Sequence, residues 1–292
     1  MSEIINIAPE RAILGESPVW SAAEGALYWV DISACRMHRA EIASRRVQSW
    51  DTPGFVGMIA LRGRGGLIAA LVDGVYAFDP GAESWQRLLA LESDRPENRP
   101  NDGKCDAAGR LWLGTMNTED PARPTGAFYR IDPDLTVSKI AGGLRVPNGL
   151  AWSPDDRTMY HTDTRAGMVR RHAFDPGTGR RGEGAPYFAF DRATTGVVDG
   201  AAMDSSGGYW AALYGGARVV RINSAGEIDR EIPLPVSQPT MPAFGGPEMK
   251  TLFVTTASQK LDETALAAEP EAGGLLMLET EVSGHPVYPF GG

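Results

Sequence analysis

Six short apolar segments recur along the chain: "ALYWVDI" from Ala26, "GLIAALV" from Gly66, "RLWLGTM" from Arg110, "TMYHTDT" from Thr158, "GYWAALY" from Gly208 and "TLFVTTA" from Thr251. Their starts lie about 40 to 50 residues apart, the repeat length of a propeller blade. A second type falls between them, "GVYAFDP" at Gly74, "GAFYRIDPD" at Gly126, "VRRHAFDP" at Val169 and "RVVRINSAG" at Arg218. Each is an alternating strand that ends in Asp-Pro or Asn-Ser, the chemistry of a turn between neighbouring strands. The pattern predicts an inner strand, a turn, an outer strand and a link to the next blade. Helical periodicity is weak throughout, with "LDETALAAEPEA" near the C-terminus as the best candidate. The early segment "EIINIA" precedes the first blade and is expected to complete the last one beside "GGLLMLETEV", closing the ring. The expected fold is therefore all-β: one six-bladed β-propeller domain over residues 1–292, with a central channel lined by the inner strands and the polar loops that precede them.

Composition agrees with many tight turns around a sizeable core: 42 % of the residues are hydrophobic, and the 35 Gly and 21 Pro are spread between apolar runs. A net charge of −9 gives the wrong sign for nucleic acid or an anionic membrane, which leaves a small molecule as the expected partner. The opening "MSEIINIAPERAILGESPVW" carries no basic segment followed by an apolar one, and no run approaches the roughly 18 apolar residues of a membrane span. A soluble, cytoplasmic protein is expected, and a monomer, since no coiled-coil heptad or long apolar edge is visible. Cys35 and Cys105 lack CxxC spacing and read as small hydrophobes in a reducing compartment. The histidines, His38, His161, His172 and His285, are scattered; His161 in "YHTDT" sits where a strand can aim it at the channel.

Four polar segments precede or accompany the inner strands: "LGESPVW" with Glu16, "NRPNDGKCD" with Arg99, Asn101 and Asp102, "VPNGLAWS" with Asn148, and "VVDGAAMD" with Asp199. Taken singly, an Asn-Gly or Asp-Gly pair reads as a hairpin turn. Repeated at blade spacing they surround one axis. Together they offer the Glu, Asp and Asn oxygens that suit a hard divalent cation.

These residues carry a family likeness. "GESPVW", "NRPNDGKCDAAGRLWLGTM", "PNGLAWSPDDRTMYHTDT", "DGAAMDSSGGYWAAL" and "FGGPEMKTLFVTTA", in this order over nearly the whole chain, resemble the gluconolactonase, senescence marker protein and regucalcin family of six-bladed propellers. The resemblance implies one divalent metal in the channel, on the positions that match its ligands, Glu16, Asn148 and Asp199. It also implies Asp199 as general base and Arg99 and Asn101 as substrate-holding residues. Asp102 is expected to brace its own turn, and Glu119, in "NTEDPARPTG", to reach over the channel as part of a lid that touches substrate.

Opening a lactone requires water to attack a carbonyl carbon and the oxyanion to be stabilised, which a divalent metal assists. No GxSxG elbow is present, so metal-assisted hydrolysis is preferred over a covalent acyl-enzyme. The oxygen-rich donor set favours calcium, magnesium or manganese, with iron(II) or zinc as further options. Likeness to the bacterial sugar-lactonase branch, in "NRPND", "YHTD" and "FGGP", together with channel polarity, implies a sugar-derived aldono-1,4- or 1,5-lactone as substrate. Two alternatives stand beside this expectation: a phosphotriesterase-like hydrolase of the diisopropyl fluorophosphatase kind, and a non-enzymatic calcium-binding propeller.

Overall fold

The computed structural model describes residues 3–8 and 10–292. They form six four-stranded antiparallel sheets, arranged as the blades of a propeller. The innermost strands, blade 1 to blade 6, are Gly15–Ser21, Val56–Leu61, Asn98–Cys105, Pro147–Trp152, Val197–Met203 and Pro239–Gly245. Each packs on the next, and the last packs on the first, so the ring closes. Blade 6 is completed by the early strand Ile5–Asn6, which pairs antiparallel with Leu275–Glu279, as the sequence predicts. The weak helical candidate is a short helix, Glu263–Ala268, capped by the Asp262 side chain. No helix among the described residues is long and apolar enough to cross a membrane.

The strand assignment differs from expectation in one systematic way. The six recurrent apolar segments are the second strands of their blades, among them Ala26–Asp31, Leu111–Asn117 and Tyr209–Tyr214. They are apolar because neighbours cover them on both faces. The polar segments expected as loops are themselves the innermost strands. Their alternation is hidden because each carries a β-bulge: the register slips at Glu16/Val19, Val56/Met58, Pro100/Gly103, Asn148/Ala151, Val198/Ala201 and Pro239/Met241. An inserted residue leaves the ladder and re-aims its side chain, here toward the axis. The outer strands, such as Arg46–Asp51 and Ile228–Pro233, are half-exposed and polar, so apolar patterning does not reveal them.

Asn148-Gly149 and Asp199-Gly200 lie inside these bulged strands, so the hairpin-turn reading does not apply. The glycines allow neighbouring blades to approach. A Cβ on Gly149, whose φ is +64°, would lie 2.4 Å from the Tyr209 hydroxyl oxygen, and one on Gly57 would lie 2.2 Å from the Pro100 carbonyl oxygen.

Between the blades the core is aromatic. Trp112 is fully buried against Phe128, Trp152 and Phe174, with ring centroids 5.6 to 6.3 Å apart. Burying a side chain of that size contributes about 2–3 kcal/mol. A repeated hairpin device holds it: Asp106 accepts from Trp112 Nε1 and Arg110 Nε at 2.7 Å each, and Asp204 accepts from Trp210 Nε1 at 2.8 Å and Arg221 Nε at 2.6 Å. "DAAGRLW" and "DSSGGYW" are two copies of this device.

The C-terminal segment, 284–292, runs across the hairpin ends of several blades. His285 N–H donates to Met203 C=O (2.8 Å), the Tyr288 hydroxyl to Asp156 (2.9 Å), Phe290 N–H to Leu61 C=O (2.8 Å) and Gly291 N–H to Gly109 C=O (3.0 Å). It covers a largely apolar cavity at one end of the innermost strands, with Pro18, Met241 and Val287 on its wall. The polar site lies at the other end.

Candidate functional site

A cavity of about 350 Å³ opens where the innermost strands begin, and Glu16, Arg99, Asn101, Glu119, Asn148 and Asp199 all line it. The bulged strands of blades 1, 3, 4 and 5 bring Glu16, Arg99, Asn101, Asn148 and Asp199 together from four separate parts of the sequence, and Glu119 joins them from a loop. Glu16 and Asn148 are buried, Arg99, Asn101 and Asp199 half-buried, and Glu119 is exposed on the rim, in the loop after Leu111–Asn117.

The amides and the guanidinium form one chain of hydrogen bonds. Arg99 donates to its neighbour Pro100 C=O (2.8 Å) and to Asn101 Oδ1 (2.9 Å). Asn101 Nδ2 donates to Asn148 Oδ1 (2.8 Å) and Pro147 C=O (3.0 Å), and Asn148 Nδ2 donates to the Thr164 hydroxyl (2.9 Å), which in turn donates to Val198 C=O (2.8 Å). Blades 3, 4 and 5 are thereby tied together at the level of the site. In blade 1, Ser17 adopts a positive φ of 50° at the bulge, and its N–H donates back to Glu16 Oε2 at 2.9 Å. Its hydroxyl bridges the Ile59 N–H and C=O of blade 2.

The electrostatics are unusual. Burial holds the Glu16 carboxyl well above the ordinary carboxylate range, and the nearby Asp199 charge raises it further. Asp199 is raised as well, first by burial and then by Asp102, against the lowering effect of Arg99 and Asn148. Burial also pulls the Arg99 guanidinium down to about 10, although Glu16 and Asp199 favour its charge. Buried Glu16 and half-buried Asp199 lie close enough for the Asp199 charge to act on Glu16, with Arg99 as their shared countercharge and Lys104 as a further cation near Glu16. The donor set, two carboxylates and an Asn carbonyl oxygen that retains a second lone pair, fits a hard divalent cation with several positions left for water or substrate. No His or Cys lines this cavity among the described residues, which points the same way.

Three details depart from expectation. Asp102 braces the next blade as well as its own neighbour: its Oδ2 accepts from Leu150 N–H at 3.0 Å, with the Gly149 N–H adding to this across the blades and the Gly103 N–H within its own strand. His161 faces away from the channel, packed against Phe128 (4.7 Å between centroids) and His172, because its strand is the second of blade 4 and not the innermost. Lys104 was not singled out by sequence. Its Nζ donates to Leu150 C=O (3.0 Å) and to Ala201 C=O, which links the strands that carry Asn148 and Asp199. Burial lowers its affinity for a proton, and the Asp102 and Glu16 charges offset this. The signal available was an Asp and a Lys on either side of Gly in "NDGKC".

Sequence reasoning also passed over Thr164, Arg165, Arg192, Tyr214, Gln259 and Lys260, which share the cavity wall. Thr164 and Arg165 follow "YHTD" directly, at the end of a strand whose Thr162 pairs with Asn148, so the register of blade 4 would have pointed to them.

Comparisons with known proteins bear on the fold and the family. Residues 14–258 match the family described as SMP-30/Gluconolactonase/LRE-like region. The chain is 37 % identical over 278 residues to 6-deoxy-6-sulfogluconolactonase of Pseudomonas putida, covering 95 % of each chain. It is 34 % identical over 274 residues to regucalcin of Xenopus laevis, covering 92 % of this chain and 91 % of that one. Among solved structures, a calcium-binding protein, regucalcin, from Agrobacterium tumefaciens strain C58 superimposes with a TM-score of 0.93 at 30 % identity, covering 98 % of this chain and 96 % of the other. With the family pattern matched over most of its length and relatives this similar over nearly all of it, the chain belongs to the SMP-30/gluconolactonase/LRE-like family.

Proposed function

We propose that the chain is a metal-dependent lactonase that hydrolyses a sugar-derived aldono-1,4- or 1,5-lactone to the aldonic acid. One observation carries the reading: Glu16, Asn148 and Asp199, from three different blades, meet beside the Arg99–Asn101 pair in one polar cavity. A pure cation store has no use for the Arg–Asn pair, whereas a carbonyl compound with hydroxyl groups does. The lactonase named among the relatives supports the same class.

Glu16, Asn148 and Asp199 would hold the cation. When bound there it supplies Lewis-acid polarisation of the lactone carbonyl. Arg99 and Asn101 donate hydrogen bonds to lactone and hydroxyl oxygens and so orient the ring. Asp199, with two carboxylate oxygens, takes the proton of the attacking water as its oxygen bonds to the carbonyl carbon. The ring carbon–oxygen bond then breaks, and the released alkoxide takes up the proton that Asp199 removed from the water, which restores the carboxylate. Glu119 on the rim closes over the substrate. The test is hydrolysis of a panel of fresh aldonolactones, followed with a pH indicator and corrected for spontaneous opening. Chelator-treated protein, resupplied with single divalent ions, should regain a clear rate on at least one of them. No rate above background on any lactone with any ion would overturn the reading.

A further inference from the structure

The wall of the cavity across from Arg99 and Asn101 plays no part in the chemistry above. Blade 3, which carries that pair, and blade 6 stand three steps apart in a ring of six, so they face each other across the axis. On the far side the wall includes Tyr214, at the end of the second strand of blade 5, and Gln259, just after the second strand of blade 6. Gln259 Nε2 donates to the Tyr214 hydroxyl at 3.3 Å.

That bond leaves both side chains half satisfied. The hydroxyl hydrogen of Tyr214 and the Oε1 of Gln259 have no partner among the described residues, although each group can make a further bond. The other tyrosines behave differently. Of the eight in the chain, Tyr28, Tyr76, Tyr129, Tyr187, Tyr209 and Tyr288 donate to a carboxylate or a backbone carbonyl. Tyr160 and Tyr214 do not, and of these two only Tyr214 lines the cavity.

The pair is fixed in place. Tyr214 pairs with Val197 in the sheet, its ring packs on the buried cluster that contains Leu14, Ile32 and Ala257, and Gln259 N–H donates to Ile13 C=O at 3.0 Å. Leu14 and Ile32 line the same cavity. Arg192 and Lys260 nearby are exposed, whereas Tyr214 and Gln259 are half-buried. Burial holds the Tyr214 phenol above its ordinary range, against the lowering effect of Gln259, and the Asp199 charge adds to the rise, so the group stays a neutral donor. One free donor and one free acceptor over an apolar base complement a hydroxyl group on a carbon ring.

We propose that Tyr214 and Gln259 are specificity residues of the lactone site: together they bind one hydroxyl group of the substrate, Tyr214 donating to it and Gln259 accepting from it, across the channel from Arg99 and Asn101. The proposal rests on the lactonase reading for the reaction and names the wall that reads the hydroxyl-bearing part of the ring. A hydroxyl held alike before and during attack contributes to KM more than to kcat. A lactone lacking it leaves both protein groups unpaired and is rejected.

The test is a double-mutant cycle between protein and substrate. Glucono-1,5-lactone and its 2-, 3-, 4- and 6-deoxy forms are compared on the wild type, Tyr214→Phe and Gln259→Leu, with the divalent ion saturating. Each variant should lower kcat/KM on glucono-1,5-lactone about three- to tenfold, through KM. On one of the deoxy lactones, the same one for both variants, the loss should shrink to within about twofold. Divalent-ion affinity should be unchanged, which separates this contact from a disturbance of Asp199. No loss, an equal loss on every lactone, different insensitive lactones for the two variants, or a loss that follows weakened ion binding overturns the assignment. Calorimetric binding of glucono-1,5-lactam and its deoxy forms, which do not open, reads the same contact without turnover. If no lactone is hydrolysed while both variants weaken lactam binding and one deoxy lactam escapes the effect, the lactonase reading fails and the hydroxyl contact stands; lactam binding that both variants leave unchanged overturns the contact.

Discussion

At the scale of single residues, the site rests on side chains whose individual meaning is ambiguous. Asp199 beside Gly200 and Asn148 beside Gly149 look like turn pairs, and only repetition at blade spacing separates them from that reading. Replacing Asp199 by Asn keeps the shape and removes the charge. The variant should lose about 10²–10⁴ in kcat on the aldonolactone the wild type prefers, as expected for removal of a general base, and should also bind divalent ions more weakly. Both are read from steady-state kinetics and metal titration. His161 shows the opposite case, a residue whose role the sequence misplaces. Burial, and after it the charges of Arg181 and His172, lower its pKa to about 3, and its Nε2 has no partner. An unfolded histidine titrates near 6.5. The unfolded chain therefore takes up a proton between those values that the folded chain refuses, so stability present above about pH 6.5 is lost as pH falls toward 3. His161→Phe should flatten this acid limb in urea melts compared at pH 7 and pH 5. Part of the slope will remain, because His172 and His285 are lowered in the same direction.

At the scale of elements, the bulged innermost strand is the unit that makes a site out of a propeller. Six copies occur, yet only those of blades 1, 3, 4 and 5 carry the proposed site groups. Blade 2 has Gly57 at its bulge and uses it for close packing on Pro100. Gly57→Ala should overpack this contact and destabilise the fold by roughly 1–3 kcal/mol, measured by denaturant unfolding. The hairpin device of Asp106 behaves differently. Asp106→Ala would leave Trp112 Nε1 without its acceptor and the buried Arg110 guanidinium without its countercharge, with only the Pro176 and Gly177 C=O groups still accepting from it, at a cost of about 3–5 kcal/mol. The second strands were legible because burial on both faces makes them apolar runs. The innermost strands were not, because a bulge and its Gly or Pro break the alternation that identifies a strand. The outer strands were hidden by their exposure. Glu16, Arg99, Asn101, Asn148 and Asp199 were singled out by sequence all the same, since polar residues that recur beside each second strand need no correct strand assignment to be noticed. Arg192 and Lys260 lie at loop positions with no counterpart in other repeats, so nothing in the pattern marked them, whereas Arg165 follows the strand paired with Asn148 and only the register of blade 4 marks it.

At the scale of the whole molecule, two features hold the ring closed. The strand Ile5–Asn6 completes blade 6, and the C-terminal segment crosses from blade 5 to blade 2. Removing residues 284–292 would expose the apolar cavity beneath them and lose the fully buried Phe290. That side chain alone is worth about 2–3 kcal/mol, so the melting midpoint should fall by roughly 3–5 °C. Divalent-ion stoichiometry should be unchanged, since the polar site lies at the opposite end of the innermost strands. The central claim is that Glu16, Asn148 and Asp199 form one cation site on which lactone hydrolysis depends. It is tested most directly by titrating chelator-stripped protein with a single divalent ion while heat and aldonolactone hydrolysis are recorded together. The rate should rise in proportion to occupancy and level off at one equivalent, with Glu16→Gln and Asp199→Asn losing both signals. Full activity in the stripped protein, or unchanged binding and hydrolysis in both variants, would contradict it.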